Sequence, residues 1–347
     1  MQPSRPVSLL GRRVFLSGIG ALAVGTALTA CSGGAAPAAT GAAATAAPLA
    51  TANLQFGWIP NVESMAPVVA AARGHFEDRG TAVTILPGGP DVVADAQIVS
   101  GNALMGILSS EALANSVVAG APLVAIAAMY QTSSSCIVTL AESGISEPKD
   151  LEGRRFGMSQ TDMRVYTPFF ELAGVDMSKI ELVTTGADPA SLVSGEVDAM
   201  SATLANQPVA IRGQGYETRE IRLADYGYNR WSGLLVVRRD SLEDPQRRAT
   251  IVGMLSAIVT SMQESVADTD AAAQTVYDVY GEQLGLVLEA QRAGAAIWAE
   301  LASESTQEQG LLRVTEEGVA SQQDFFDKIG LDVDAAELFD LTVQEEV

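Results

Sequence analysis

The chain has 347 residues, 48% of them apolar and 18% charged, which is enough length for two domains and an ordinary composition for a folded protein. Its 42 acidic residues against 21 basic ones give a net charge of −21, which argues against nucleic acid and against an electrostatic hold on anionic lipid, since both need a basic footprint. A single histidine, three lysines (Lys149, Lys179 and Lys328), no Cys/His metal spacing, no Gly-x-Ser-x-Gly elbow and no P-loop leave a thin catalytic inventory.

Residues 14–28 are apolar but too short and too rich in glycine and alanine for a comfortable membrane span, and they follow Arg5, Arg12 and Arg13 with no acid before Cys31. That is the pattern of a signal peptide. Leu28-Thr29-Ala30-Cys31 matches the bacterial lipobox, in which the cysteine thiol takes a diacylglycerol, so residues 1–31 read as a lipoprotein signal and Cys31 as the lipidation site. Gly11-Arg12-Arg13-Val14-Phe15-Leu16 resembles a twin-arginine export signal but departs from it at Gly11 and Ser17, which leaves the Sec and Tat routes both open. Residues 32–52 are nearly all Gly, Ala, Pro, Thr and Ser without charge, the composition of a flexible tether. Removing the three leader arginines leaves 18 basic against 42 acidic residues, a net −24. With one of the two cysteines spent on lipid, Cys136 stands alone and no internal disulfide is expected.

Residues 54–58 read as a strand and 65–73 as a helix stopped by Gly74; 82–86 is a second strand, followed by a Pro-Gly-Gly-Pro loop and a helix capped by Asp91. Residues 104–108 give a third strand, and Ser109-Ser110-Glu111 opens a third helix. Strand and helix alternating at this tempo predict parallel pairing with crossover helices, and ligands in such sheets bind beyond the carboxyl ends of the strands.

The run Trp58-x-Pro60, Ala72-x-Gly74-x-Phe76, Gly80, Gly88-Gly89, Ser100-Gly101 and Gly106 resembles the NMT1/THI5-like group of ABC-transporter substrate-binding proteins. Pro148-Lys149-Asp150-Leu151-x-Gly153, before a new strand at 155–158, extends the likeness. The resemblance implies an α/β, type II periplasmic-binding-protein-like fold of two lobes, each a mostly parallel sheet flanked by helices. It also implies a small-molecule ligand enclosed by lobe closure, with an ABC permease and its ATPase as partners, and no cofactor. Its fungal branch includes pyrimidine synthases that use a histidine and a pyridoxal-phosphate lysine. The matching cleft residues cannot be placed here, and His75, between Gly74 and Phe76, reads as an ordinary helix-end residue.

Farther along, 123–129 is a buried strand that ends at Tyr130-Gln131 before a polar Thr/Ser run, and 136–141 is another. Ser159-Gln160-Thr161-Asp162 starts a helix to Ala173, and its free N–H groups could face a ligand or be capped by their own side chains. Residues 99–105 are echoed by 193–200, a short internal likeness that supports two lobes. Thr203 to Pro208 then follows a strand as Ser109 to Glu111 follows its own, and 218–223 is a further strand. The loop 225–233 gathers Tyr226, Tyr228 and Trp231 in an aromatic-poor chain, and 234–237 returns to the first lobe. Helices are expected over 249–266, 268–280, 287–301 and 316–329, with Met254, Ile258 and Met262 as core and Gln322, Gln323 and the acids of 332–346 as a solvated face and tail.

The expected organisation is a lobe of 53–135 plus 232–347 and a second of 136–231, in a monomer. Expected ligand contacts are Trp58, Asn61, Ser109, Ser110, Glu111, Tyr130, Gln131, Ser159, Thr161, Asn206, Tyr228 and Trp231. Trp58, Tyr130 and Trp231 favour a planar heterocycle, such as a thiamine-precursor pyrimidine or riboflavin. Arg164 offers the alternative, an anion of the sulfonate, taurine or nitrate type.

Overall fold

The computed structural model describes residues 49–89, 91–160, 162–186, 188–304 and 309–347. The signal peptide, Cys31, Thr161 and most of the tether lie outside the described residues. Among those described, the strands are β1 (Ala50–Gln55), β2 (Thr81–Leu86), β3 (Met105–Leu108), β4 (Leu123–Tyr130), β5 (Ser135–Leu140), β6 (Arg155–Met158), β7 (Glu181–Thr184), β8 (Ala199–Thr203), β9 (Thr218–Arg222) and β10 (Ser232–Arg238). They form two five-stranded sheets of order β2-β1-β3-β10-β4 and β7-β6-β8-β5-β9. The first sheet therefore draws its strands from 50–130 and 232–238, and the second from 135–222.

Both sheets are mixed, where a mostly parallel pairing was expected. β1 pairs parallel with β2 and β3, and β6 parallel with β7 and β8, each through a helical crossover. β10 runs antiparallel to β3 and β4, and β5 antiparallel to β8 and β9. These two strands are the ones on which the chain enters each sheet from the other, so they arrive against the local direction. β4 is buried along all eight residues, as a strand covered on both faces should be.

Several boundaries move. β1 begins at Ala50, inside the expected tether, because β2 supplies a parallel partner for Ala50, Thr51 and Ala52. Asp91 does not cap the next helix; the loop runs on through Val92 and Val93, and the helix is Ala94–Val99. The expected start at Ser159 slips to Met163, since the Asp162 carboxylate folds back on the Ser159 N–H at 3.2 Å.

The apolar interior has two main parts. One is built on the helix Pro245–Ala267, whose Met254, Ile258 and Met262 are fully buried in one cluster with residues of β1 and β4 and with Trp298. That helix is long and apolar enough to span a membrane by composition, yet it serves as core. The other joins Phe156, Phe169 and Phe170 of the second sheet's layer to Tyr228, Trp231, Phe325, Phe326 and Phe339. Gln322 is not on a solvated face: it is fully buried and its Nε2 donates to the Asn229 carbonyl at 3.1 Å. Gln323 bonds the Val333 carbonyl and the Ala335 N–H, and the expected acidic tail packs down through Phe339, Val343 and Gln344.

Candidate functional site

A cleft of about 800 Å3 opens where the carboxyl ends of strands from both sheets converge. β1 leads into Gly57 and Trp58, β3 into Ser109, β6 into Ser159, and β8 into Thr203 and Asn206; all of these line it. The segments crossing between the sheets contribute Ser134, Ser135, Arg230 and Ser232. Glycine shapes the first wall. A Cβ on Gly88 would lie 2.5 Å from the Trp58 nitrogen and 2.6 Å from the Gly57 carbonyl carbon, so only glycine lets this loop close against the end of β1.

Of the expected contact residues, Trp58, Ser109, Ser159 and Asn206 line the cleft. Trp58 is 44% exposed there, while Trp231 and Trp298 are nearly fully buried. The Ser109 hydroxyl accepts from the Ala112 N–H at 3.2 Å and caps its helix.

The other expected residues do different work. Tyr130 is fully buried, its ring 4.4 Å from that of Trp298 and its hydroxyl donating to the Glu63 carbonyl at 2.7 Å. Trp231 packs edge-on against Phe339, and its backbone N–H donates to the Ser110 hydroxyl at 3.1 Å, which also accounts for the buried Ser110. Tyr228 packs on Phe169 and Phe325 and donates to Glu111 at 3.3 Å, so neither Tyr228 nor Glu111 reaches the cleft lining. The Gln131 side chain donates to the Arg313 carbonyl at 2.5 Å, and Asn61 caps the short helix Val62–Ser64 by accepting from the Glu63 N–H at 2.7 Å. The aromatic density of the 225–233 loop is thus mainly core, where a pocket was expected.

Apart from Arg164, the expected alternative anion contact, charge is what the sequence left unassigned. Glu63, Asp95, Asp162, Arg164 and Arg230 all line the cleft. Asp95 accepts from the Ser116 hydroxyl at 2.5 Å and from the Ala96 N–H at 2.9 Å, and Asp162 accepts from the Ser201 hydroxyl at 2.8 Å as well as from Ser159. Glu63, Arg164 and Arg230 differ. None of the three forms an ion pair within 4.0 Å among the described residues, Arg164 is exposed, and the Glu63 carboxyl accepts no hydrogen bond from the described residues. Burial pushes that carboxyl up from 4.5 to about 7, with the Arg230 charge pulling the other way. Arg230 reaches the Ser135 hydroxyl at 3.4 Å, and its buried Nε has no partner among the described residues. A sequence signal existed for both: Glu63 is the lone acid between residues 49 and 76, and Arg230 the lone base between Arg222 and Arg238.

Cys136 is buried in β5 with its thiol pushed far above the ordinary range by desolvation, and it is outside the cleft lining. His75 sits at the start of the helix His75–Asp78, 3.1 Å from Glu264. Among the described residues no group of three or more His, Cys, Asp or Glu side chains could hold a metal ion.

A family model described as NMT1/THI5 like matches residues 61–272. A candidate thiamine biosynthesis protein of Haemophilus influenzae is 25% identical over 161 residues, which is 44% of this chain and 50% of that protein. The chain thus spans about half the length of the curated relative it matches. Among solved structures, the periplasmic aliphatic sulphonate binding protein SsuA from Escherichia coli aligns with a TM-score of 0.63 at 18% identity, covering 83% of this chain and 91% of that one. The desulfurization enzyme DszB aligns with a TM-score of 0.58 at 15% identity, covering 85% and 98%. At such identities these structures share the fold, and that fold carries both a binding protein and an enzyme.

Proposed function

Because the chain belongs to the NMT1/THI5-like family and has the fold of the type II periplasmic binding proteins, we propose that it is the extracytoplasmic solute-binding component of an ABC importer. It captures a small molecule between its two sheets and delivers it to a permease driven by an ATPase. Export through the 1–31 leader and lipid attachment at Cys31 belong to the same proposal, as does hinge closure of 136–231 on the remainder. A Cys31→Ala variant that stays as membrane-bound as the parent would contradict the anchor, and an open free form whose small-angle scattering is unchanged by saturating ligand would contradict closure.

The ligand carries an anionic group held at Arg230. The observation behind this is the guanidinium itself: it reaches the Ser135 hydroxyl at 3.4 Å, forms no ion pair and leaves its buried Nε without a partner among the described residues, in a lining that also holds Ser134 and Ser232. A guanidinium among hydroxyls suits a sulfonate, phosphonate or carboxylate. The sulphonate ligand class of the Escherichia coli protein points the same way. The cleft lining includes no histidine, cysteine or lysine among the described residues, which supports binding over turnover.

A second reading takes the exposed face of Trp58 as the platform for a planar heterocycle of the thiamine-precursor or flavin type. Titration of the parent, Arg230→Gln and Trp58→Ala with alkanesulfonates, an aminopyrimidine and riboflavin separates the two. The anion reading expects sulfonate affinity to fall at least about tenfold in Arg230→Gln, the loss of one charged hydrogen-bonding group. Tight riboflavin or pyrimidine binding that depends on Trp58 and ignores Arg230 would favour the second reading instead.

A further inference from the structure

The charges in the cleft are not equivalent. Asp95 and Asp162 spend their oxygens on Ser116, Ala96, Ser201 and Ser159. Arg164 also lines the cleft without an ion pair among the described residues, but it is solvent-exposed and keeps its water. Glu63 is the acid of the lining without a side-chain partner among the described residues, and Arg230 the base of the lining with a buried nitrogen left unpartnered among them. They stand close enough to influence each other's charge but do not pair with each other.

Glu63 is also held in place. Its backbone N–H is fixed by Asn61, its carbonyl by the Tyr130 hydroxyl, and the preceding Val62 N–H donates to Gln291 at 3.2 Å. A carboxyl and a guanidinium that share a cleft, each partly withdrawn from water and neither in an ion pair among the described residues, is a costly arrangement. It becomes favourable when something inserted between them offers a positive or N–H-donating end to one and a negative end to the other.

Building on the anion reading above, we infer that Glu63 is a specificity-determining residue and that the ligand is zwitterionic, with an amine or other N–H-rich group at Glu63 and the anionic group at Arg230. A simple anion of the same size satisfies Arg230 and leaves the carboxyl stranded. The side chain that discriminates is therefore Glu63 and not the anion site itself.

Proton linkage gives a second signature. The groups whose charge acts with that of the Glu63 carboxyl are Arg230 and the Tyr130 hydroxyl; Asp95, Asp162 and Arg164 share the same cavity. The carboxyl titrates near neutrality in the free protein. A bound ammonium lowers its pKa, so binding at pH 7 releases a proton, whereas a bound plain anion raises it and takes a proton up.

The experiment is calorimetric titration at pH 7 with matched pairs that differ by the amine: taurine and ethanesulfonate, 2-aminoethylphosphonate and ethylphosphonate, β-alanine and propionate. Each is run in two buffers of different ionisation enthalpy. For at least one head group the parent should prefer the amino member by about tenfold or more and release a proton on binding it. Glu63→Gln should abolish the preference and the proton release together, while Glu282→Gln, an exposed acid outside the cleft, keeps both. Equal affinity for the members of every pair, or a preference that survives in Glu63→Gln, overturns the inference while leaving the anion reading intact. If none of the six compounds binds, the inference and the anion reading fall together.

Discussion

Replacing Glu63 by glutamine keeps the size of the side chain and removes its charge, so it isolates what burial costs this carboxyl. The folded protein holds the group at about 7 against 4.5 for an unperturbed carboxyl. The folded state thus binds the proton more tightly than the unfolded chain, and the parent loses stability as pH rises between those two values. The loss is complete above the folded value. A difference of two to three pH units corresponds to about 3 kcal/mol, an upper figure because a cleft wall retains some water. Urea denaturation of parent and variant at pH 4 and pH 8 reads this directly. The two proteins should be nearly equal at pH 4, and Glu63→Gln should be the more stable by roughly 2 to 3 kcal/mol at pH 8. A stability difference that does not change between the two pH values would refute the reasoning, because it would mean that the carboxyl is solvated in the free cleft.

Iodide quenching should report mainly Trp58, since it is 44% exposed while Trp231 and Trp298 are nearly buried; Trp58→Phe should remove most of the quenchable emission, and an undiminished quench would contradict the burial of the other two. Phe325→Ala removes a fully enclosed ring that packs on Tyr228 and Phe326, and should cost about 3 to 5 kcal/mol by denaturant midpoint; a loss under 1 kcal/mol would deny that this cluster is core. Gly88→Ala should lower the thermal midpoint and weaken ligand binding together, because the added Cβ meets backbone at Phe56, Gly57 and Trp58; unchanged values for both would contradict the close approach. Asp198 pairs with Arg155 through both carboxylate oxygens, at 2.7 and 3.2 Å, which holds its pKa below the usual carboxylate range. Its contribution, about 1 kcal/mol at this exposure, should be present at neutral pH and fade as pH falls below about 4, so Asp198→Asn should destabilise at pH 7 and be nearly silent at pH 2.

The sequence made the alternation of strands and helices legible because their periods differ and glycine punctuates them; Gly74, for example, adopts the left-handed conformation read from its position. The core role of Met254, Ile258 and Met262 was legible for the same reason. The sense of β5 and β10 was not, since strand direction depends on which sheet the chain has just left and no local pattern encodes that. Aromatic identity misled at Tyr130, Tyr228 and Trp231. A ring that stacks on a ligand and a ring that stacks on Trp298, Phe325 or Phe339 obey the same chemistry, and only burial separates them. Glu63 was hidden by its place in the first turn of a helix, where an acid is ordinarily explained by the helix dipole. Arg230 was hidden by the aromatics around it.

The account stands most directly on what Arg230 does. Calorimetric titration of the parent and Arg230→Gln with a panel of small anions, cations and neutral heterocycles, followed by mass spectrometry of the recovered solute, tests it in one series. The account predicts a single site per chain for an anionic solute, recovered chemically unchanged, with affinity at least about tenfold weaker in the variant. A tightest ligand without a negative group, an affinity indifferent to Arg230→Gln, or a solute recovered as product would contradict it.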